Sequence, residues 1–180
     1  MGVLWKRGPC TAYTVIREFA ESRSAFYRSG AGSIYPLLSR LRRAGFVQAA
    51  PGRGRRETLY TLTETGVEKL REWFRIGSGD PDFTCAADPL RSRAYFLAVL
   101  APAERLRFVT DALHGLGTLL SQCENDVAAY RAAGDEFSAM AMAGSVVETR
   151  ARIRWLQEIR RACEAQSRTY IEDCASDSPE

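Results

Sequence analysis

The chain has 180 residues, 46% of them hydrophobic and 26% charged, which is the composition of a globular protein of one domain or two small ones. No apolar run approaches the ~18 residues needed to cross a bilayer, and MGVLWKRGPC places charge where a secretory leader needs an apolar core, so a cytoplasmic protein without a membrane partner is expected. Five scattered cysteines without a CxxC and a single histidine, His114, speak against a zinc site, a disulfide scaffold or any cofactor.

The net charge of +3 conceals an asymmetry. Residues 1–76 hold 14 Lys+Arg against 6 Asp+Glu, whereas the remainder holds 11 against 16. The two parts meet at GSGDPDF, a Gly/Pro stretch from Gly77. The expected organisation is a basic domain over 1–76, a linker over 77–87, a helical domain over 88–175 and a tail over 176–180. The basic part is the candidate anion binder.

In chain order, Leu4 and Trp5 belong to a short first helix that stops near Gly8-Pro9, where proline lacks the amide needed to continue. Thr11 is placed to cap a second helix whose residues Tyr13, Ile16, Phe19 and Ala20 share one face. Ser24 to Gly30 reads as a connector. Ser33 should cap a third helix, with Pro36 early enough to cost no internal hydrogen bond. There Ile34, Leu37, Leu38 and Leu41 fall on one side, leaving Tyr35, Pro36, Ser39, Arg40 and Arg43 outward until Gly45 ends the helix.

Phe46–Ala50 and Glu57–Leu62 read as two strands around a turn bearing Arg53, Arg55 and Arg56. Thr63, or Thr65 in a Thr65-x-x-Glu68 box, should cap the next helix, with Val67, Leu70, Trp73 and Phe74 on its inner face. Asp88 and Pro89 open a short helix running to about Leu100. Pro102 opens a long one in which Leu106, Val109, Leu113, Leu116, Leu120, Cys123, Val127 and Tyr130 recur in steps of 3 and 4. Its expected partner runs from about Glu136 to Tyr170 with Phe137, Met140, Val147, Trp155, Leu156, Ile159 and Cys163, giving an antiparallel helical hairpin.

A helix with a cationic outer face followed by an arginine-tipped hairpin is the sequence form of a winged helix-turn-helix. The fold class expected is therefore mostly α (α+β), an N-terminal winged helix with a two-stranded wing and a C-terminal helical dimerisation domain. A helix of this kind fits the major groove, and arginine pairs with guanine edges or phosphates.

The stretch GAGSIYPLLSRLRRAGFV, then a basic turn and ETLYTLTETG, resembles the PadR family of bacterial transcriptional regulators. The family pattern is a Gly-Ser-Ile-Tyr-Pro opening, a Leu-x-x-x-Gly-hydrophobic-Val exit and a Tyr-x-Leu-Thr-x-x-Gly junction, and all three pieces stand here in order. The likeness covers roughly Gly8 to Leu70 in motif detail; Thr11-Ala12-Tyr13 stands where Ser-Gly-Tyr is usual, and the family carries further apolar residues before Leu4. It implies a homodimeric regulator, usually a repressor. Carried over by position, Ser33, Tyr35, Pro36, Ser39 and Arg40 match the DNA-facing helix, and Arg53, Arg55 and Arg56 match the wing. With Thr11, Tyr13 and Arg43 they form the expected double-stranded DNA contact set.

Leu4, Trp5, Leu106, Val109, Leu113, Leu116, Leu120, Ile159 and Cys163 are the expected homodimer contacts. Trp73 and Trp155 invite a small aromatic effector, although tryptophan at helical spacing is more often core. Cys123 and Cys163 read as apolar fillers, leaving Cys10 or Cys85 as redox candidates. No nucleophile elbow or phosphate loop is present, so an enzyme is not expected. The competing reading is a winged helix docking an acidic protein partner.

Overall fold

A computed structural model of the chain describes residues 1–22, 28, 31–52, 57–75 and 88–176, with the side chains of 31 and 167–176 excepted. The expected linker, the wing arginines Arg53, Arg55 and Arg56, Cys85 and the tail beyond Ser176 lie outside the described residues. The chain divides into two compact units, Met1–Ala86 and Ala87–Glu180.

The first unit runs α1 (Gly2–Arg7), β1 (Cys10–Thr11), α2 (Ala12–Ala20), a 3-10 turn (Ala31–Ser33), α3 (Ile34–Arg43), β2 (Val47–Pro51), β3 (Thr58–Leu62) and α4 (Glu64–Trp73). The expected two-stranded wing is one edge of a three-stranded sheet in the order β1-β3-β2. Both pairings are antiparallel, with Cys10 opposite Tyr60 and Val47 opposite Leu62. A strand of two residues leaves no periodicity in the sequence; β1 exists because β3 offers it an unpaired edge. The core beneath is Leu4, Cys10, Ala12, Val15, Ile34, Leu38 and Val47.

Local chemistry sets the ends of these elements. Thr11 caps α2 by accepting from the Thr14 amide at 3.1 Å. Gly45 takes φ 77° after α3, a left-handed conformation that suits glycine, while the Phe46 amide closes back on the Leu41 carbonyl at 3.0 Å. Thr63, not Thr65, caps α4: its Oγ1 accepts from the Gly66 amide at 3.0 Å and donates to the Gly45 carbonyl at 2.7 Å. One hydroxyl thus joins the start of α4 to the end of α3.

Gly66 completes this junction. A Cβ placed there would lie 2.1 Å from the Phe46 carbonyl oxygen, so only glycine lets α4 approach the backbone leading into β2. The Thr-x-x-Gly spacing seen in the sequence has that physical meaning. The inner face expected for α4 is shorter than its apolar residues suggested. Val67 and Leu70 are half-buried, but Trp73 and Phe74 are 66% and 69% exposed and stack edge to face at 5.1 Å.

The second unit comprises α5 (Pro89–Tyr95), a 3-10 turn (Leu97–Val99), α6 (Pro102–Ala132) and α7 (Glu136–Ser176). Asp88 caps α5 through the Leu90 and Arg91 amides. Ala101 donates to the Glu104 carboxylate at the start of α6, where Pro102 sits at the first turn. Gly134 at φ 72° turns the chain, and the Asp135 carboxylate accepts from the Ser138 amide to start α7.

The helical hairpin forms with Leu156, Ile159 and Cys163 in its core as expected, but the first half of α7 takes a different register from the one its large apolar residues suggest. Phe137, Met140 and Val147 are exposed, and the seam is Ala139, Met142, Val146, Thr149, Ile153, Leu156 and Cys163. With Ile159 between Leu156 and Cys163, these residues recur every 3 or 4 positions and face Val109, Leu116, Cys123 and Val127 of α6. Ala139 and Thr149 hid the register because neither announces itself as core. The Thr149 hydroxyl donates to the Ser145 carbonyl at 2.7 Å, which removes the cost of burying it.

The burial corrects part of the expected dimer set. Leu4 belongs to the core of the first unit, and Val109, Leu116 and Cys163 are buried within the second, so none has surface left for a partner chain. Leu106, Leu113, Leu120 and Ile159 are half-buried, while Trp5 is exposed.

Candidate nucleic-acid interface

α3 is divided lengthwise by its sequence. Ile34 and Leu38 are buried and Leu37 and Leu41 half-buried against the core, which fixes the roll of the helix and turns Tyr35, Pro36, Ser39, Arg40, Arg42 and Arg43 outward. Tyr35 is 60% exposed, an aromatic ring with no role in the core. Arg40, Arg42 and Arg43 make no ion pair or side-chain hydrogen bond with another described residue. Among the described residues no carboxylate pairs with these charges. All three lie in the last turns of the helix, where the backbone dipole favours cations.

Ser33 does not cap α3. It sits in αR conformation at the end of the Ala31–Ser33 turn, so the winding runs into α3 without the extended residue that side-chain capping requires. It is solvent-exposed at the start of the helix, beside amides that suit a phosphate. Tyr13 projects from α2 with 65% exposure, and Thr11, half-buried, spends its hydroxyl on the helix cap. Arg42 is exposed on the same face as Arg40 and Arg43.

β2 and β3 carry the chain to the wing, and the Gly52 amide donates to the Glu57 carbonyl at 2.8 Å, closing the base of the loop. The wing arginines Arg53, Arg55 and Arg56 lie outside the described residues. Of the other candidates, Trp73 belongs to the first unit and Trp155 to the second, where it is half-buried against the α6–α7 core. Cys10 is buried, and burial pushes its thiol pKa up despite the nearby Arg7, which counts against a reactive thiolate. Among the described residues no cluster of His, Cys, Asp and Glu could hold a metal, and no helix is long and apolar enough to cross a membrane.

A helix-turn-helix packed with a three-stranded sheet, its second helix turning a cationic face outward, is a winged-helix arrangement. Residues 1–72 match the Transcriptional regulator PadR-like family. The chain is 25% identical over 138 residues to the negative transcriptional regulator PadR of Bacillus subtilis, covering 75% of each. The N-terminal part of the chain is thus similar to PadR-like transcriptional regulators.

Solved structures of similar fold extend over both units. Bacillus subtilis PadR in complex with operator DNA superposes with a TM-score of 0.76 at 23% identity, covering 90% of this chain and 93% of that one. The same protein in complex with p-coumaric acid gives 0.72 at 23% identity, covering 91% and 92%. The Vibrio cholerae virulence activator AphA gives 0.69 at 18% identity, covering 91% and 95%.

Proposed function

We propose that this protein is a cytoplasmic repressor that occupies an inverted-repeat promoter site as a homodimer and leaves it on binding a small aromatic effector. The observation that carries the reading is the outer face of α3: three arginines without partners among the described residues, with Tyr35 and Ser39, on a helix held from behind by its own apolar face. Arg40 and Ser39 enter the major groove and read base edges, Tyr35, Arg42 and Arg43 engage phosphates, and Arg53, Arg55 and Arg56 lie along the flanking backbone.

The relative from Bacillus subtilis is a negative regulator, which supports repression, and its structures with operator DNA and with p-coumaric acid support a duplex partner and an aromatic effector. Two-fold pairing would set two α3 helices about one DNA turn apart, roughly 34 Å, and demand an inverted repeat. The effector must distinguish DNA-competent from DNA-incompetent dimers, because equal affinity shifts no equilibrium.

The test is retardation of DNA from the protein's own promoter region against a scrambled duplex at two salt concentrations. Specific binding that weakens steeply with salt is the expected result. Arg40→Ala should reduce specific binding more than non-specific binding; an equal loss in both reassigns Arg40 to phosphate positioning. Salt-independent absence of binding overturns the operator reading in favour of an acidic protein partner.

A further inference from the structure

The first unit contains a cavity of about 780 Å³ on the side of α3 away from the basic face. That volume lies within the range of small-molecule sites. Its walls come from α1, α2, α3 and α4, and Leu4, Phe19, Ile34, Leu38, Leu41 and Leu70 line it. The charged groups of the described residues on its wall are the side chains of Lys69 and Glu72, which pair with each other at 2.7 Å, both half in solvent, and the amino group of Met1. Trp73 stands beside them.

We infer that this cavity is a binding site for a neutral, hydrocarbon-rich small molecule carrying one terminal polar group. Three observations set the chemistry. The inner wall is formed by aliphatic and phenyl groups, so a polar atom held against Ile34 and Leu38 would lose its water and gain no partner. The ion pair neutralises the two charged side chains of the wall, and burial of the Met1 amino group on the same wall lowers its pKa and disfavours its charged form, so the site favours a neutral ligand over a free ion. The polar groups of Lys69 and Glu72 nevertheless give a single terminal hydroxyl somewhere to hydrogen-bond. A compound polar at both ends fits less well, because one end must enter the apolar wall.

The ligand would touch the recognition helix on Ile34, Leu38 and Leu41, the residues that fix its roll. This goes beyond the aromatic effector of the proposed function and rests on the operator reading only for the consequence at DNA, while binding itself is measured without DNA.

The experiment titrates the full-length protein with hexan-1-ol, heptan-1-ol and octan-1-ol by calorimetry, with octanoate and p-coumaric acid in parallel. Saturable binding of one alcohol per chain is expected, tightening about fourfold for each added methylene, with octanoate and p-coumaric acid both weaker than octan-1-ol. Leu41→Trp and Leu70→Trp, which fill the cavity from two different helices, should each abolish binding while the circular dichroism spectrum is retained. Should either variant fail to fold, nuclear Overhauser contacts from octan-1-ol to the methyls of Ile34, Leu38 and Leu41 in the unaltered protein decide the matter. No saturable binding, binding unchanged in the folded variants, no contacts to those methyls, or tighter binding of either acid overturns the inference. Failure of promoter retardation with intact alcohol binding would overturn the operator reading and leave the cavity site standing.

Discussion

Replacing Gly66 with alanine tests the account of how α4 is seated, because the same substitution elsewhere in the chain should have the opposite sign. The new Cβ would lie 2.1 Å from the Phe46 carbonyl oxygen and 3.2 Å from a Leu62 methyl, against an ordinary contact distance of 3.4–4 Å. More than an ångström of separation must be recovered, and the obstacle is backbone that also accepts from the Thr63 amide. Overpacking of this kind costs about 1–3 kcal/mol, with rigid surroundings at the upper end. Alanine in a helix returns about 1 kcal/mol over glycine. The net expectation is destabilisation by about 2 kcal/mol, or roughly 8–16 °C in the melting of a unit this size. Gly115, inside α6 with nothing within 4 Å of its would-be Cβ, is the control, and Gly115→Ala should stabilise by up to about 1 kcal/mol. Thermal and urea unfolding of both variants provide the measurement. A Gly66→Ala protein as stable as the parent would refute the claim that the Phe46 carbonyl sets the seat of α4.

Thr63→Val removes a hydroxyl that both caps α4 and bonds the Gly45 carbonyl, so a loss of about 1–2 kcal/mol is expected in urea unfolding, with Thr63→Ser restoring most of it. Leu156 is fully buried on the α7 seam, and Leu156→Ala should cost about 2–5 kcal/mol, whereas exposed Phe137→Ala should leave stability of the isolated hairpin nearly unchanged; equal losses would mean the register of the seam is wrong. Cys10 should react with a maleimide at neutral pH only as fast as the first unit opens, because burial holds its pKa up, and rapid labelling of the native protein would contradict its place in the core.

Much of the first unit was legible in the chain. The outward set on α3 follows from the 3 and 4 spacing of Ile34, Leu37, Leu38 and Leu41, since a helix held on one face must present the other. The caps at Thr11 and Asp88 and the turn at Gly45 follow from side-chain and backbone chemistry that acts within a few residues. Local physics of this range is written in local sequence.

Other features depend on residues distant in sequence. β1 is a strand only because β3 lies beside it, and Gly66 is indispensable only because the Phe46 carbonyl arrives from 20 positions earlier. On α7 the large side chains Phe137, Met140 and Val147 suggested one face, yet there α6 packs on Ala139, Val146 and Thr149. Hydrophobicity ranks residues by their desire to leave water, while packing selects the face whose shape admits a second helix, and a small Ala139 or a self-satisfied Thr149 meets that condition. Trp73 illustrates the converse, an aromatic at core spacing that α4 carries beyond the end of its contact. Sequence alone thus determined the helices, the β2–β3 hairpin and the basic face, and tertiary packing decided the third strand and which apolar residues are hidden, because burial belongs to pairs of surfaces and a single chain segment carries only one of them.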